Sequence, residues 1–188
     1  MENTERHRCF WVNVKNPLYI QYHDTEWGVP QHSDKKLWEL LMLESFQAGL
    51  SWECILNKRE GFRKAFDEFD VEKISGYGEE KYLRLLADPN IIRNKLKIKA
   101  CITNSRIFRK IQEEYGSFDT YIWGFTERQV IFESCDIRTS SPLSDEISKD
   151  LKKRGMKFVG TVIIYSYLQA IGILNAHTKD CDWYKGKL

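Results

Sequence analysis

The chain has 188 residues, 42% hydrophobic and 13% aromatic, which suits one domain with a sizeable core and excludes disorder for most of its length. Lys and Arg number 29 against 27 Asp and Glu, a net charge of +2 that neither requires nor forbids a nucleic-acid partner. Four prolines and 11 glycines are few for a turn-dense β-sandwich and favour helices.

At the N-terminus, Glu2, Glu5, Arg6 and Arg8 are followed by no apolar segment, so no secretory signal is expected. Ser33 is a candidate N-cap and Asp34 suits the first turn of a helix running to about Ala48. Leu37, Leu41, Glu44 and Ala48 share one face of that helix, with Leu40 beside them. Phe62, Phe66 and Phe69 suggest a short helix. Lys81 to Ala87 reads as another, broken at Asp88-Pro89-Asn90. The next begins near Asn94, with Ile98, Cys101, Ile102, Ser105 and Phe108 at helical spacing. Between Phe118 and Pro142, Gln129 to Glu133 fits strand, helix or turn equally. Ser144 is expected to cap a helix reaching Arg154 and ended by Gly155. Phe158 to Thr178 holds no Asp, Glu, Lys or Arg, but its Gly, Ser, Gln, Asn and His residues favour a buried core helix over a membrane span.

Positive charge is segregated. From Ile91 to Gln112 there is no acid, while Arg93, Lys95, Lys97, Lys99, Arg106, Arg109 and Lys110 fall within it. A second cluster is Lys149, Lys152, Lys153, Arg154 and Lys157. Each could be a solvated helix face or a phosphate-contacting surface. The helix break before the first cluster favours phosphate contact, because it would aim backbone N–H groups and basic side chains outward together.

Five cysteines at irregular spacing do not suggest a disulfide framework, and a reducing cytoplasm is expected. Cys9 and His23 near one end, with His177 and Cys181 near the other, make a Cys2His2 set of the kind Zn²⁺ takes in structural sites. If helical, His177 and Cys181 at i, i+4 would face the same way. Four protein ligands would leave no open position for a hydrolytic water.

Glu44 sits on an apolar stripe, where an ionised carboxylate is costly unless paired. It is either a satisfied core acid or a carboxylate lining a pocket. Trp11, Tyr19, Tyr22, Trp27 and Trp52 are either core rings or ligand platforms; a buried acid amid ring faces suits a flat, cationic, nitrogen-rich ligand such as a nucleobase. Other catalytic patterns fail. No nucleophile elbow, Walker A or P-C-x-x-C is present, and Lys81 stands where Gly76-Tyr77-Gly78 would need its third glycine.

Several segments resemble the 3-methyladenine DNA glycosylase I family of bacteria: Arg8 to Val12, Pro17 to Pro30, Leu43 to Trp52, Leu151 to Gly160, and Asn175 to Cys181. The resemblance covers about Arg8 to Cys181. It implies an all-α helix–hairpin–helix DNA glycosylase fold of two lobes with the pocket between them. One lobe would comprise about 1–55 and 155–188, the other about 56–154. It also implies one structural zinc at Cys9, His23, His177 and Cys181, tying the N- and C-terminal segments. Glu44, Tyr22 and Trp52 would bind the extruded base, with Trp11 and Trp27 nearby and Glu44 as the candidate catalytic carboxylate. Gly49 and Leu50 would wedge into the duplex, and the hairpin at Asp88 to Lys97 would present Arg93, Lys95 and Lys97. The implied activity is hydrolytic release of free 3-methyladenine from double-stranded alkylated DNA, without strand cleavage, by a cytoplasmic monomer with no membrane partner. Ser45, where some members carry Gly, and Met156, where Phe is expected, depart from the pattern, and the hairpin lacks a glycine-rich turn. A zinc-stabilised nucleic-acid-binding module without catalysis and a zinc hydrolase are the rival readings.

Overall fold

The computed structural model describes residues 6–133 and 138–185. Glu2, Glu5 and Cys135 lie outside them. Helix α1 spans Pro17–Thr25, with Asn16 as N-cap accepting from the Leu18 amide. Helix α2 covers Asp34–Gln47 after Ser33, as expected, and every residue from Leu37 to Phe46 is buried. Asp34 does more than open this helix: its carboxylate accepts from the Phe118 and Asp119 amides and from Gln112 Nε2.

Helix α3 spans Trp52–Ala65, capped by Ser51. The phenylalanine helix is corrected here. Phe62 belongs to α3, whereas Asp67–Phe69 is a 3-10 turn whose three residues have positive φ. The spacing misled because the rings still meet: Phe62, Phe66 and Phe69 form a stacked row beside Phe46. Helix α4 spans Val71–Ser75.

Helix α5 spans Glu79–Ala87, and the 21-residue α6 runs Lys95–Tyr115 with Asn94 as N-cap. The five α6 residues expected on one face are all buried. Helix α7 spans Phe118–Gly124. The ambiguous segment 129–133 contains a two-residue strand β1, Ile131–Phe132.

Helix α8 covers Pro142–Lys153, and its N-cap is Ser141 rather than Ser144. Ser144 is the N3 partner: Ser141 Oγ accepts the Ser144 amide while Ser144 Oγ accepts the Ser141 amide, closing a capping box. Gly155 follows with φ of 102°, the left-handed position where a helix stops. The uncharged run yields helix α9, Thr161–Ala170, and then β2, Leu174–Asn175, parallel to β1. Its β-branched residues Thr161 to Ile164 thus open a half-buried helix, and β2 itself carries none. Among the described residues no helix is long and apolar enough to cross a membrane.

Helix α2 lies at the centre, packed against α3, α6, α7 and α9. One continuous cluster of buried apolar side chains runs from Cys9 to Cys181. Met156 belongs to it and is buried. The turn after α9 presses on the segment after α1: a Cβ on Gly172 would stand 2.3 Å from Val29 C.

Candidate functional site

Two features bring the chain ends together with α2. The first is a cluster of Cys9, His23, His177 and Cys181, all buried, whose ligand atoms lie within 4.8 Å of one another. Cys9 Sγ stands 3.5 Å from His177 Nδ1, and Cys181 Sγ is 3.5 Å from both His177 Nδ1 and His23 Nε2. This set could hold one metal ion. His177 and Cys181 converge through a turn and not a helix, contrary to the i, i+4 helical picture.

The surroundings fix the imidazoles. His23 Nδ1 lies 2.8 Å from Asp24 Oδ1, directing Nε2 at the cluster. Asp24 is gripped by Arg8 through Nε at 2.8 Å and Nη2 at 2.6 Å, which holds its carboxyl below the usual range despite the opposing effect of burial. Burial pushes His177 down to about 4, leaving a neutral ring with a lone pair for an ion. Gly28, with φ of 73°, lets the main chain pass the His177 ring; a Cβ there would lie 3.1 Å from Nε2.

The second feature is a cavity of about 270 Å³ beside the cluster. That is just below the roughly 300–1,000 Å³ of drug-sized sites, a volume for a small ring system. Its walls include Trp11, Tyr19, Tyr22, Trp27 and Trp52, as expected. Tyr22 and Trp52 have ring centroids 5.1 Å apart, and Trp11 and Trp27 are 4.8 Å apart. The Trp27 edge meets His177 at 4.7 Å, so the ion cluster buttresses one wall.

Glu44 lines the cavity and is 3% exposed. Its Oε2 has no hydrogen-bond partner among the described residues, and burial pushes the carboxyl up to about 8. The satisfied-core alternative therefore fails for that oxygen. Burial, with a smaller effect of Glu44, also drives the Tyr22 hydroxyl well above its ordinary value, so it stays a donor. Trp52 Nε1 is likewise buried without a partner among the described residues. Ser45 turns its hydroxyl back to the Leu41 carbonyl at 2.8 Å and is absent from the lining.

Sequence reasoning missed Phe10, Gln47, Ser166, Gln169, Arg138 and Ala176, which complete the described lining. Gln47 lies three residues after Glu44, a spacing that could have found it. Ser166 and Gln169 are polar interruptions of the uncharged run. Among the described lining residues, Arg138 alone comes from 56–154. The described walls come mostly from residues 1–55 and 155–188.

After Gln47 the chain makes a type II turn. Ala48 has φ −44° and ψ 113°, Gly49 has φ 79°, and the Leu50 amide donates to Gln47 O at 2.6 Å. Leu50 projects at 41% exposure beside the cavity residue Gln47.

The basic span does not form one outward face. Arg93 and Lys95 are exposed in and after the α5–α6 turn. Lys97 is buried at 7% exposure, and its ammonium donates to the Phe46 carbonyl at 2.8 Å and the Ala48 carbonyl at 2.5 Å. It is therefore corrected from an outward phosphate ligand to an inward contact. The Asn94 side chain captures the Leu96 and Lys97 amides, so these donors do not face outward either. Arg106 and Arg109 bond Ser75, and Arg154 bonds Asp150 and Glu114.

The sequence pattern of the methyladenine glycosylase family matches residues 11–185. The chain is 45% identical to DNA-3-methyladenine glycosylase 1 of Escherichia coli (strain K12), over 95% of this chain and 97% of that protein. It is 36% identical to DNA-3-methyladenine glycosylase of Haemophilus influenzae, over 93% and 96% respectively. A crystal structure of 3-methyladenine DNA glycosylase I matches with a TM-score of 0.91 at 44% identity, covering 95% of this chain and 100% of that one. Another such glycosylase, crystallised in complex with 3-methyladenine, matches with a TM-score of 0.86 at 37% identity, covering 89% of this chain and 92% of that one.

Proposed function

The chain belongs to the methyladenine glycosylase family, and from that membership we propose that it excises 3-methyladenine from alkylated double-stranded DNA. The observation that carries this reading is Glu44, a buried carboxyl with one oxygen unpartnered among the described residues, in a cavity walled by aromatic rings.

The lesion is cationic, and its glycosidic bond is weak because the base departs neutral. Water adds across that bond: the hydroxyl ends on the sugar, the base leaves, and one proton goes to solvent. The protein has to extrude the base and hold it. Tyr22 and Trp52 supply ring faces, with Trp11 and Trp27 on the same cavity wall, and ring faces attract cations. Glu44 is largely a neutral acid in the unliganded cavity at pH 7; a cationic base beside it favours the carboxylate. A charge-assisted hydrogen bond there contributes about 1.5–3 kcal/mol, which unmodified adenine forgoes. No lysine is among the described lining residues, consistent with hydrolysis by a monofunctional enzyme and not Schiff-base strand cleavage.

Helices α5 and α6 with residues 88–94 act as the helix–hairpin–helix element, placing Arg93 and Lys95 on the phosphate backbone. Gly49 and Leu50 form the wedge. Residues 1–55 with 155–188 and residues 56–154 act as the two lobes. Cys9, His23, His177 and Cys181 would hold the ion, and two thiols with two imidazoles, their sulfur and nitrogen atoms 3.5 Å apart, are a donor set that suits zinc. Four protein ligands give it a structural role, and no step of the reaction passes through it. The enzyme works as a cytoplasmic monomer.

The test is incubation with methylated duplex followed by chromatography of released bases. We expect free 3-methyladenine and strands that break only after alkali. No released base overturns the activity; strands cut without alkali overturn the monofunctional assignment.

A further inference from the structure

We propose that Lys97 is a positioning residue for base extrusion, a latch that holds the Ala48–Gly49 peptide in the orientation that presents Leu50. This inference rests on the glycosylase reading above and deepens it.

The turn geometry shows what the latch selects. Type I and type II turns differ by a flip of the central peptide, here Ala48–Gly49. The observed dihedrals are type II. The Ala48 carbonyl, which that flip would swing away, is held by the Lys97 ammonium. The same ammonium takes the Phe46 carbonyl, one of the α2 carbonyls left over at the helix end. A cation there also complements the negative end of the α2 dipole. No carboxylate pairs with Lys97 among the described residues, so these main-chain oxygens are its partners. Burying an ammonium this deeply is costly, which raises the question of what the arrangement accomplishes.

Position answers it. Lys97 sits in the first turn of α6, four residues after exposed Arg93 and two after exposed Lys95. Asn94 ties its amide into the helix cap. On the other side of the contact, α2 carries Glu44 and Gln47 into the cavity and Leu50 follows the turn. Lys97 is thus a direct link between the element that meets the DNA backbone and the turn that enters the duplex. Among the described residues nothing lies within 4 Å of a would-be Cβ on Gly49, so none of them holds the turn by packing at that residue.

The experiment compares Lys97→Met with wild type, alone and combined with Leu50→Ala. Four quantities are read: single-turnover release of 3-methyladenine from methylated duplex, affinity for free 3-methyladenine, bound metal, and the salt dependence of duplex binding. We expect the single-turnover rate to fall about tenfold or more, since small misplacements carry losses of that order. Free-base affinity should stay within about twofold, with metal and salt slope unchanged, because the cavity and phosphate ligands are intact. Lys97→Met should cost little more in the Leu50→Ala background, as expected of residues acting through one another. Should Lys97→Met not fold, Lys97→Gln, which keeps donors on a shorter neutral chain, is expected to show the same pattern with a smaller loss. A parallel fall in free-base affinity, a salt slope lower by about one unit, or additivity with Leu50→Ala overturns the latch. An active wild type matched by Lys97→Met overturns the latch alone; an inactive wild type overturns the glycosylase reading and the latch with it.

Discussion

Gly61 of α3 lies directly under Asn90 in the turn between α5 and α6. A Cβ on Gly61 would stand 2.5 Å from the Asn90 carbonyl oxygen and 3.1 Å from its carbonyl carbon. Lys58, one turn earlier on α3, donates to the Pro89 carbonyl at 3.0 Å. The turn expected to meet phosphates is therefore seated on α3 by main-chain contact. In an exposed helix, Gly→Ala stabilises by roughly 0.5–1 kcal/mol. Here we expect Gly61→Ala to destabilise by about 1–3 kcal/mol, the range for overpacking against backbone. Urea unfolding checks the sign, and weaker duplex binding at unchanged free-base affinity checks the location.

Glu44 makes stability depend on pH. Its folded value is about 8 against an ordinary 4.5, so between those values the folded chain holds the extra proton. Stability contributed by this group is complete below about pH 4.5 and is lost as pH rises through about 8. The slope is at most about 1.4 kcal/mol per pH unit for one group. Glu44→Gln removes it. Urea midpoints of wild type and variant should diverge from pH 5 to pH 8, the variant gaining. The same variant should lose affinity for free 3-methyladenine in calorimetric titration.

The metal cluster predicts one zinc per purified chain by elemental analysis. Cys181→Ala should lose the metal and lower the melting temperature. Asp24→Asn keeps an acceptor for His23 but discards the charge that Arg8 holds. Competition with a coloured chelator should show zinc affinity reduced about 10- to 100-fold. Unchanged affinity would detach Asp24 from the site.

Arg93→Ala and Lys95→Ala should each lower the slope of log K against log salt by about 0.9 for duplex binding, one phosphate contact apiece. Arg106→Ala is the control. Its guanidinium donates to the Ser75 carbonyl at 2.9 Å, and the slope should not change.

Local signals carried the reading where one residue decides one thing. Ser33 and Asp34, Asn94, and the apolar stripe of α6 gave helix starts and faces correctly, because caps and periodicity are short-range. The four candidate ion ligands could be gathered from the sequence because few residue types bind such an ion. Ser141 was missed in favour of Ser144 because both belong to one capping box, and sequence alone does not say which serine is outside the helix. Lys97 was misplaced for a different reason. Its direction depends on carbonyls about fifty residues away, and nothing in a run of basic residues marks the one that turns inward. The cavity wall from Ser166 and Gln169 likewise depends on how α9 lies along α2, which local pattern does not encode.

The main chains of His7 and Asp182 also bond each other, Asp182 N to His7 O at 2.9 Å, with the His7 amide on the Asp182 carboxylate at 3.1 Å. This closure has a consequence for synthesis. Ribosomes deliver the chain from one end, so the first half of the ion cluster and the cavity's tryptophans emerge long before Gln169, Ala176, His177 and Cys181. Until those arrive, Cys9 and His23 lack their partners and the aromatic wall stands open. Contacts of such long sequence separation form late and slowly. A stalled or truncated product therefore lacks a closed aromatic cavity, which is completed in a single late step.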